Sequence, residues 1–317
     1  MFSNVTLASS NPHFTIFGID IYYYAVIIVC GMLLAIGVVC LLFKRRNLPI
    51  DWVLDLIICV IPLAIIGARV YFCIFYGVPF KHWFSLDSDH GIRAGGLAIY
   101  GGVIMGAVGV VIFCLIRKVN FLRIADCIAP ALILGQGIGR WGNFVNQEAY
   151  GNIVTNPNLQ WFPYAVEVEG SWYQATFFYE SMACLIGFAL LFIFAWKVKK
   201  RPSGMVLCGY MFIYGIERSI VEGFRSDSLY IGAIRVSQLL SILIVVAGVL
   251  LLLGLMYFNK KKYGAYFGAA SGEPESLAIL PKLYTKEQLK KMKEEQEKQT
   301  ADTVKEQTED ISENKNE

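Results

Sequence analysis

The amino-acid sequence predicts an all-α integral membrane protein with about seven transmembrane helices and a small extracytoplasmic segment. Only 17% of its 317 residues are charged, whereas a soluble domain carries roughly 25%. Long apolar runs recur at fairly regular intervals, and each is close to the ~20 residues that a spanning helix needs. The runs are continuous, whereas strands of a membrane barrel alternate between apolar and polar residues over roughly ten positions. Helices are therefore the predicted spanning elements.

Seven apolar segments fit this description. The fourth is interrupted by Pro130 and by three glycines, so its helix is the least regular. The predicted spans are Tyr22–Phe43, Trp52–Tyr76, Gly96–Ile116, Leu122–Gly139, Thr176–Trp196, Met205–Gly223 and Val236–Phe258.

Basic residues in the loops indicate the orientation. They cluster after the first, third, fifth and seventh spans, while the alternate loops carry few. Under the positive-inside rule, the N-terminus lies outside and the C-terminus in the cytoplasm, which agrees with an odd number of spans. Residues 1–260 are predicted to form one polytopic transmembrane domain. Residues 261–317 are rich in mixed charge and are predicted to be a largely disordered cytoplasmic tail.

Ionisable residues in the sixth span are candidates for function, because charge at membrane depth is costly. In "YMFIYGIERSIVEGFRSD", Tyr214, Arg218 and Glu222 are spaced i, i+4, i+8, and Arg225 follows three residues later. On a helix these side chains share one face. Glu222 is placed to hold the guanidinium of Arg218 or Arg225. The alternative is a purely structural salt bridge between two helices.

A second polar group ends the fourth span in "GRWGNFVNQEAYG". Arg140, Asn143 and Asn146 recur at i, i+3, i+6, and Glu148 and Gly151 follow. If the helix continues, the arginine and both amides point one way; if it breaks, they line a polar loop. Either geometry surrounds one fixed positive charge with hydrogen-bonding groups. The alternative is that the asparagines cap or join helices.

A glycine-rich stretch, "RAGGLAIYGGVIMG", begins the third span. Two glycine pairs, the first of which is Gly95 and Gly96, flank Tyr100. Glycine permits close backbone approach by a ligand or by another helix. The stretch is not a nucleotide-binding loop, because it lacks both GxGxxG and GxxxxGK[ST] and follows no strand pattern.

Two arginines and several amides near the outer side of a membrane indicate an anionic ligand. Arginine keeps its charge when buried and binds phosphate through two parallel hydrogen bonds. The anion most available to a membrane cavity is a phospholipid head group. An enzyme acting on lipid phosphate is one hypothesis, a phospholipid or ion transporter that uses the arginines as anion sites is a second, and a scaffolding protein is a third. A transporter predicts two similar halves, and the Arg140 motif has no second copy. No nucleic-acid partner is expected.

The stretch from Gly139 to Gly151 closely resembles the signature of the bacterial prolipoprotein diacylglyceryl transferases, roughly G-R-x-G-N-F-hydrophobic-N-x-E-x-x-G, and meets every fixed position. The resemblance extends from Tyr22 to Phe258 and also implies seven spans. The other matching stretches are "IYYYAVIIVCG" with Tyr24, "GARVYF" with Arg69, "GGLAIYGG", and "YGIERSIVEGFR" with Tyr214, Arg218, Glu222 and Arg225.

The resemblance implies a multi-pass enzyme of the bacterial plasma membrane. Such enzymes move the diacylglyceryl group of phosphatidylglycerol onto the lipobox cysteine of a preprolipoprotein, forming a thioether and releasing glycerol phosphate. No metal or other cofactor is implied. The expected catalytic residues are Arg140, Arg218, Tyr100 and Glu148. The expected substrate-binding residues are Tyr24, Arg69, Gly95, Gly96, Asn143, Asn146, Gly151, Tyr214, Glu222 and Arg225.

The chain departs from many members of that family at one position. Those members carry a histidine in the glycine-rich motif, where this chain has Tyr100. Its histidines, His13, His82 and His90, all lie outside the predicted spans. We therefore expect the arginines to lower the pKa of the substrate thiol, which is normally about 8.5, and either Tyr100 or Glu148 to accept its proton.

Overall fold

The structure is a computed structural model that describes residues 13–17, 19–85, 96–198, 201–224, 230–231 and 234–263. Within these residues the chain forms seven long helices and three two-stranded antiparallel hairpins. The helices are α1 (Tyr23–Arg45), α2 (Asp51–Phe75), α3 (Ile99–Arg117), α4 (Phe121–Val145), α5 (Thr176–Lys197), α6 (Met205–Val221) and α7 (Val236–Tyr263). The strands are β1 (His13–Ile16), β2 (Ile19–Tyr22), β3 (Ala165–Val168), β4 (Ser171–Gln174), β5 (Tyr230–Ile231) and β6 (Ile234–Arg235).

The mostly helical membrane architecture is confirmed. Each predicted span contains one helix, and six of the described helices are long and apolar enough to cross a bilayer. The exception is α6, which has 17 residues, or about 25 Å at 1.5 Å per residue. Seven crossings and the orientation of the termini remain predictions. Most of the predicted tail, together with Gly95 and Arg225, lies outside the described residues.

The central helix is α4, which packs against α1, α5 and α6. In its most apolar stretch, 56% of the residues are buried inside the protein, whereas the corresponding share is 33% or less in the other five candidate spans. The helix begins where the Asn120 side chain accepts a hydrogen bond from the Leu122 N–H, and it continues through Pro130. It ends at Val145, six residues beyond the predicted end at Gly139, so the predicted boundary was too early.

A buried carboxylate at the start of α4 caps another helix. Asp126 is 1% exposed and accepts the N–H groups of Gly204, Val206 and Leu207, each at 3.0 Å. These are the orphan donors of the first turn of α6, whose own N-cap residue is a glycine without a side chain to satisfy them. Two buried guanidinium groups lie 3.8 and 4.0 Å from the same carboxylate, those of Arg46 and Arg201.

Helices α2 and α3 pack closely at two facing glycines. A Cβ atom on Gly67 would lie 2.6 Å from the carbonyl oxygen of Gly101, and one on Gly101 would overlap the carbonyl oxygen of Gly67. Both obstacles are backbone atoms, which do not move aside as a flexible side chain does. This crossing therefore depends on the absence of side chains at both positions.

We expect Gly101→Ala to destabilise the protein by about 1–3 kcal/mol, because the α2–α3 pair has to separate to admit the methyl group. Gly106→Ala is the matched control on the same helix, since a Cβ there would lie 3.7 Å from Ala64 Cβ, which is an ordinary contact. Thermal unfolding of both variants in detergent micelles measures the difference. Equal unfolding temperatures for the two variants would contradict this account of the crossing.

Candidate functional site

Two arginines and two glutamates form a connected network across α4, α5 and α6. Glu180 of α5 bridges both arginines: its Oε2 pairs with Arg140 Nε, and its Oε1 lies 2.6 Å from Arg218 Nη1. Glu222 Oε2 lies 2.8 Å from Arg218 Nη2. The predicted contact between Arg218 and Glu222 is therefore present. The network joins the two polar groups that the sequence placed on separate helices.

The acidic and basic members of the network differ in exposure. The side chains of Glu180 and Glu222 are 3% and 2% exposed in their ion pairs, whereas those of Arg140 and Arg218 retain 19% and 13%. The carboxylates thus lie behind the guanidinium groups, and it is the arginines that reach accessible space. An anion approaching this site meets hydrogen-bond donors first.

Glu180 was missed in the sequence because it belongs to no polar cluster. It is nevertheless the only charged residue between Thr176 and Trp196. A single ionisable group in a long apolar helix is itself a signal, because its burial requires a partner. The sequence identifies the unsatisfied charge, while the identity of its partners depends on how α4, α5 and α6 pack.

The last turn of α4 is held against the start of α5 by an aromatic cluster. The Trp141 indole N–H donates to Ser181 Oγ at 3.0 Å, and its ring packs edge-on against Phe177, with ring centres 5.5 Å apart. Phe144 stacks on Phe177 at 4.5 Å. These contacts keep residues 140–145 helical, so that Arg140 projects toward Glu180.

The motif beyond α4 forms a tight loop. The Asn143 side-chain amide donates to Glu148 Oε1 at 3.4 Å, and Glu148 is exposed. The flanking residues, Gln147 and Ala149, have left-handed backbone angles, with φ of 54° and 62°. Such angles cost roughly 1–3 kcal/mol each outside glycine, so the loop has to be held by its surroundings.

Contacts from the next segment hold this loop in place. Thr176 Oγ1 donates to the Ala149 carbonyl at 2.8 Å, and the Gly151 N–H donates to the Gln174 carbonyl at 3.1 Å. A Cβ on Gly151 would lie 2.7 Å from Gln174 Cβ, so the glycine permits this close approach. Asn146 forms the C-cap of α4, and its side-chain amide has no hydrogen-bond partner in the described part of the chain.

Burial raises the pKa of the Tyr150 phenol above its usual value, and the carboxylates of Glu148 and Glu169 raise it further. The phenol therefore stays protonated at neutral pH. Its ring stacks on Tyr173 of β4, with ring centres 5.7 Å apart.

Two further predicted residues lie beside the network. The ring of Tyr24, on α1, packs directly against Gly142 of α4, where a Cβ atom would lie only 2.8 Å from the ring. Tyr24 also interacts electrostatically with Arg140 and Glu148. Tyr214 stacks in parallel on Tyr210, with ring centres 5.6 Å apart, and interacts electrostatically with both arginines.

The remaining predicted residues have other surroundings. Arg69 is buried and donates to the carbonyl groups of Trp83 (2.8 Å), Gly96 (3.2 Å) and His82 (3.4 Å), so it organises the connection between α2 and α3. The Tyr100 hydroxyl lies 3.1 Å from Ser237 Oγ of α7, its one hydrogen-bond partner among the described residues. Gly95 and Arg225 fall outside the residues described.

The sequence is similar to the proteins of one known family. Residues 12–254 match the family model of prolipoprotein diacylglyceryl transferase. A phosphatidylglycerol–prolipoprotein diacylglyceryl transferase of Finegoldia magna is 44% identical over 238 residues, covering 75% of this chain and 92% of the relative. Similarly named proteins of Clostridium perfringens and Lactococcus lactis subsp. cremoris are 40% and 41% identical, covering 80% and 73% of this chain and 97% and 88% of the relatives.

Proposed function

The chain belongs to the prolipoprotein diacylglyceryl transferase family. On that premise we propose that its buried arginines stabilise the phosphate that leaves during the reaction. It is a transferase that moves the diacylglyceryl group of phosphatidylglycerol to a prolipoprotein, the first step of lipoprotein maturation. The acceptor is the thiol of the lipobox cysteine. Residues 1–260 form the catalytic domain, crossing the bacterial plasma membrane seven times with the N-terminus outside, and residues 261–317 form a cytoplasmic tail.

The reaction requires stabilisation of a departing phosphate. The thiolate attacks a glycerol carbon, a carbon–sulfur bond forms, and the carbon–oxygen bond to phosphate breaks. The electron pair leaves with the phosphate oxygen as glycerol phosphate. Fixed donors directed at the place where charge develops are usually the largest contribution to catalysis. In this chain Arg140 and Arg218 supply those donors.

One observation supports this assignment above the others: Glu180 holds both arginines at once. A shared, buried carboxylate fixes the separation of the two guanidinium groups before the lipid arrives. Glu222 fixes a second nitrogen of Arg218. The positive charge is therefore preorganised, and little rearrangement is needed when the phosphate departs.

The neighbouring side chains form the rest of the lipid site. Asn143, Asn146 and Glu148 bind the head group, and Tyr24 and Tyr214 line its sides next to the arginines. Gly96 and Gly151 allow the backbone to approach, and Arg69 holds the segment before α3. Gly95 and Arg225 complete the substrate-binding set expected from the sequence. Tyr100 and Glu148 are the proton acceptors expected from the sequence.

A mass measurement tests the function. Purified protein is incubated with phosphatidylglycerol and a lipobox peptide, and we expect the peptide to gain the mass of one diacylglyceryl unit. Arg140→Ala should slow this gain by about 10²–10³-fold, as expected for loss of one preorganised donor. Arg117→Ala, which removes an arginine from the exposed ion pair with Asp55 on α2 and α3, is the matched control. If the parent protein produced no such mass gain, the proposed diacylglyceryl transferase activity would be excluded.

A phospholipid or ion transporter is not favoured. The relatives compared above are all transferases by name, and the buried arginines are accounted for by the phosphate that leaves in the reaction.

A further inference from the structure

A third buried carboxyl faces the network and has no assigned role. Glu217 precedes Arg218 on α6, is 9% exposed, and has an Oε1 atom that is fully buried. In the described part of the chain it forms no hydrogen bond and no ion pair. It is still close enough to Glu180, Arg140 and Arg218 to interact electrostatically with each of them.

This isolation is unusual for a buried carboxyl. Polar groups inside proteins almost always have a hydrogen-bond partner, and an exception calls for an explanation. The nearby arginines are already engaged by Glu180 and Glu222, so Glu217 has no cation of its own. A desolvated carboxylate without such a partner is a stronger base than one in water. This is the property that removal of a thiol proton requires.

The two proton acceptors expected from the sequence are placed less well. The Tyr100 hydroxyl is engaged with Ser237 on α7. Glu148 is exposed and accepts a hydrogen bond from Asn143, so its carboxylate is in contact with solvent and already engaged. Glu217 alone of the three combines burial, a carboxyl oxygen without a hydrogen-bond partner among the described residues, and electrostatic interaction with both arginines.

We propose that Glu217 accepts the proton of the prolipoprotein thiol, an assignment that rests on the proposed function. The thiol proton passes to the Glu217 carboxylate as sulfur forms its bond to the glycerol carbon. The carbon–oxygen bond breaks at the same carbon, and its electron pair leaves with the phosphate that Arg140 and Arg218 hold. Glu217 then releases its proton to the departing glycerol phosphate, which restores the starting state.

Charged and titratable groups surround Glu217 on three helices. Arg140 faces it from α4, Glu180 and Cys184 face it from α5, and Tyr210 and Arg218 are neighbours on its own helix.

The decisive experiment compares two acceptor peptides in the parent protein and in Glu217→Gln. One lipobox peptide carries cysteine, and the other carries selenocysteine, whose selenol is ionised at neutral pH and needs no base. General base catalysis contributes about 10²–10⁴-fold. We therefore expect Glu217→Gln to lose at least ~100-fold with the cysteine peptide and only a few-fold with the selenocysteine peptide. The ratio of the two rates does not depend on how much protein is folded.

Three further variants support the comparison. Asp55→Asn removes a carboxyl from a different membrane helix, and Tyr100→Phe removes the competing acceptor; each should change the rates with both peptides by the same factor. Glu217→Asp keeps the carboxyl and covers the case in which glutamine prevents folding, because its ratio should stay closer to that of the parent.

An equal loss with both peptides, or a near-parental rate with cysteine, would overturn the role of Glu217. Transfer to neither peptide by the parent would overturn the proposed function and this assignment together.

Discussion

Replacing Glu180 by glutamine is expected to lower the rate of diacylglyceryl transfer by about 10³-fold or more. Loss of one preorganised donor typically costs 10²–10³-fold, and Glu180 positions two arginines rather than one. Glutamine keeps the shape of the side chain but removes the charge, so both guanidinium groups lose their shared anion. The rate of peptide mass gain measures the effect.

Three further variants distinguish loss of arginine positioning from loss of folded protein. Glu222→Gln releases Arg218 alone and should cost less than Glu180→Gln. Glu167→Gln, on β3, removes a carboxylate outside the network and serves as the control. If Glu180 acts through the arginines, its loss and that of Arg140→Ala should be far from additive in the double variant, because residues of one network are coupled. Turnover above a tenth of the parental rate in Glu180→Gln would contradict the positioning role.

The second large effect concerns stability: Asp126→Ala should reduce the free energy of unfolding by about 3–5 kcal/mol. Removing one partner of a buried ion pair leaves the other charge uncompensated, which has costs of this size. Here the carboxylate also satisfies three N–H groups at the start of α6. The network residues Arg218 and Glu222, and the neighbouring Glu217, lie at the other end of that helix.

Unfolding in detergent, followed by activity at low temperature, distinguishes this effect from a catalytic one. Asp55→Ala is the control, because its ion pair with Arg117 is partly exposed, at 38% and 42% of the two side chains, and such pairs contribute about 0–1 kcal/mol. The folded fraction of Asp126→Ala should turn over normally. An unfolding midpoint equal to that of Asp55→Ala would contradict the capping account.

The helices were predictable because membrane spans are long, continuous and apolar, so that composition alone marks them. The end of α4 was not. Beyond Gly139 the sequence turns polar, as loops do, yet the helix runs to Val145. What keeps it helical is a set of contacts with α5, including Trp141 with Ser181 and Phe144 with Phe177. These residues are distant in the sequence, and no local pattern records the contact.

The site divides in the same way. Arg218 and Glu222 are four residues apart on one helix, so their ion pair follows from helical geometry alone. Arg140 and Glu180 are partners only because α4 packs on α5. Composition did mark Glu180 as the solitary charge of the fifth span, whereas Asp126 follows Arg123 by three residues in the fourth. Glu217 was visible as an ionisable residue in the sixth span, but its lack of a partner is a property of the folded protein.

The central position of α4 has a consequence for biogenesis. This helix is the most enclosed of the candidate spans and carries Asp126, Gln136 and Arg140 along its length. A charged residue opposes the insertion of a span, by up to roughly 2.5–3.5 kcal/mol at its centre, so the charged groups of α4 make it a poor solitary segment in lipid. We expect α4 to insert into the bilayer together with neighbouring helices that cover its polar side chains. The helix that carries Arg140, a proposed phosphate-binding residue, is thus the helix whose integration into the bilayer depends most on the rest of the nascent protein.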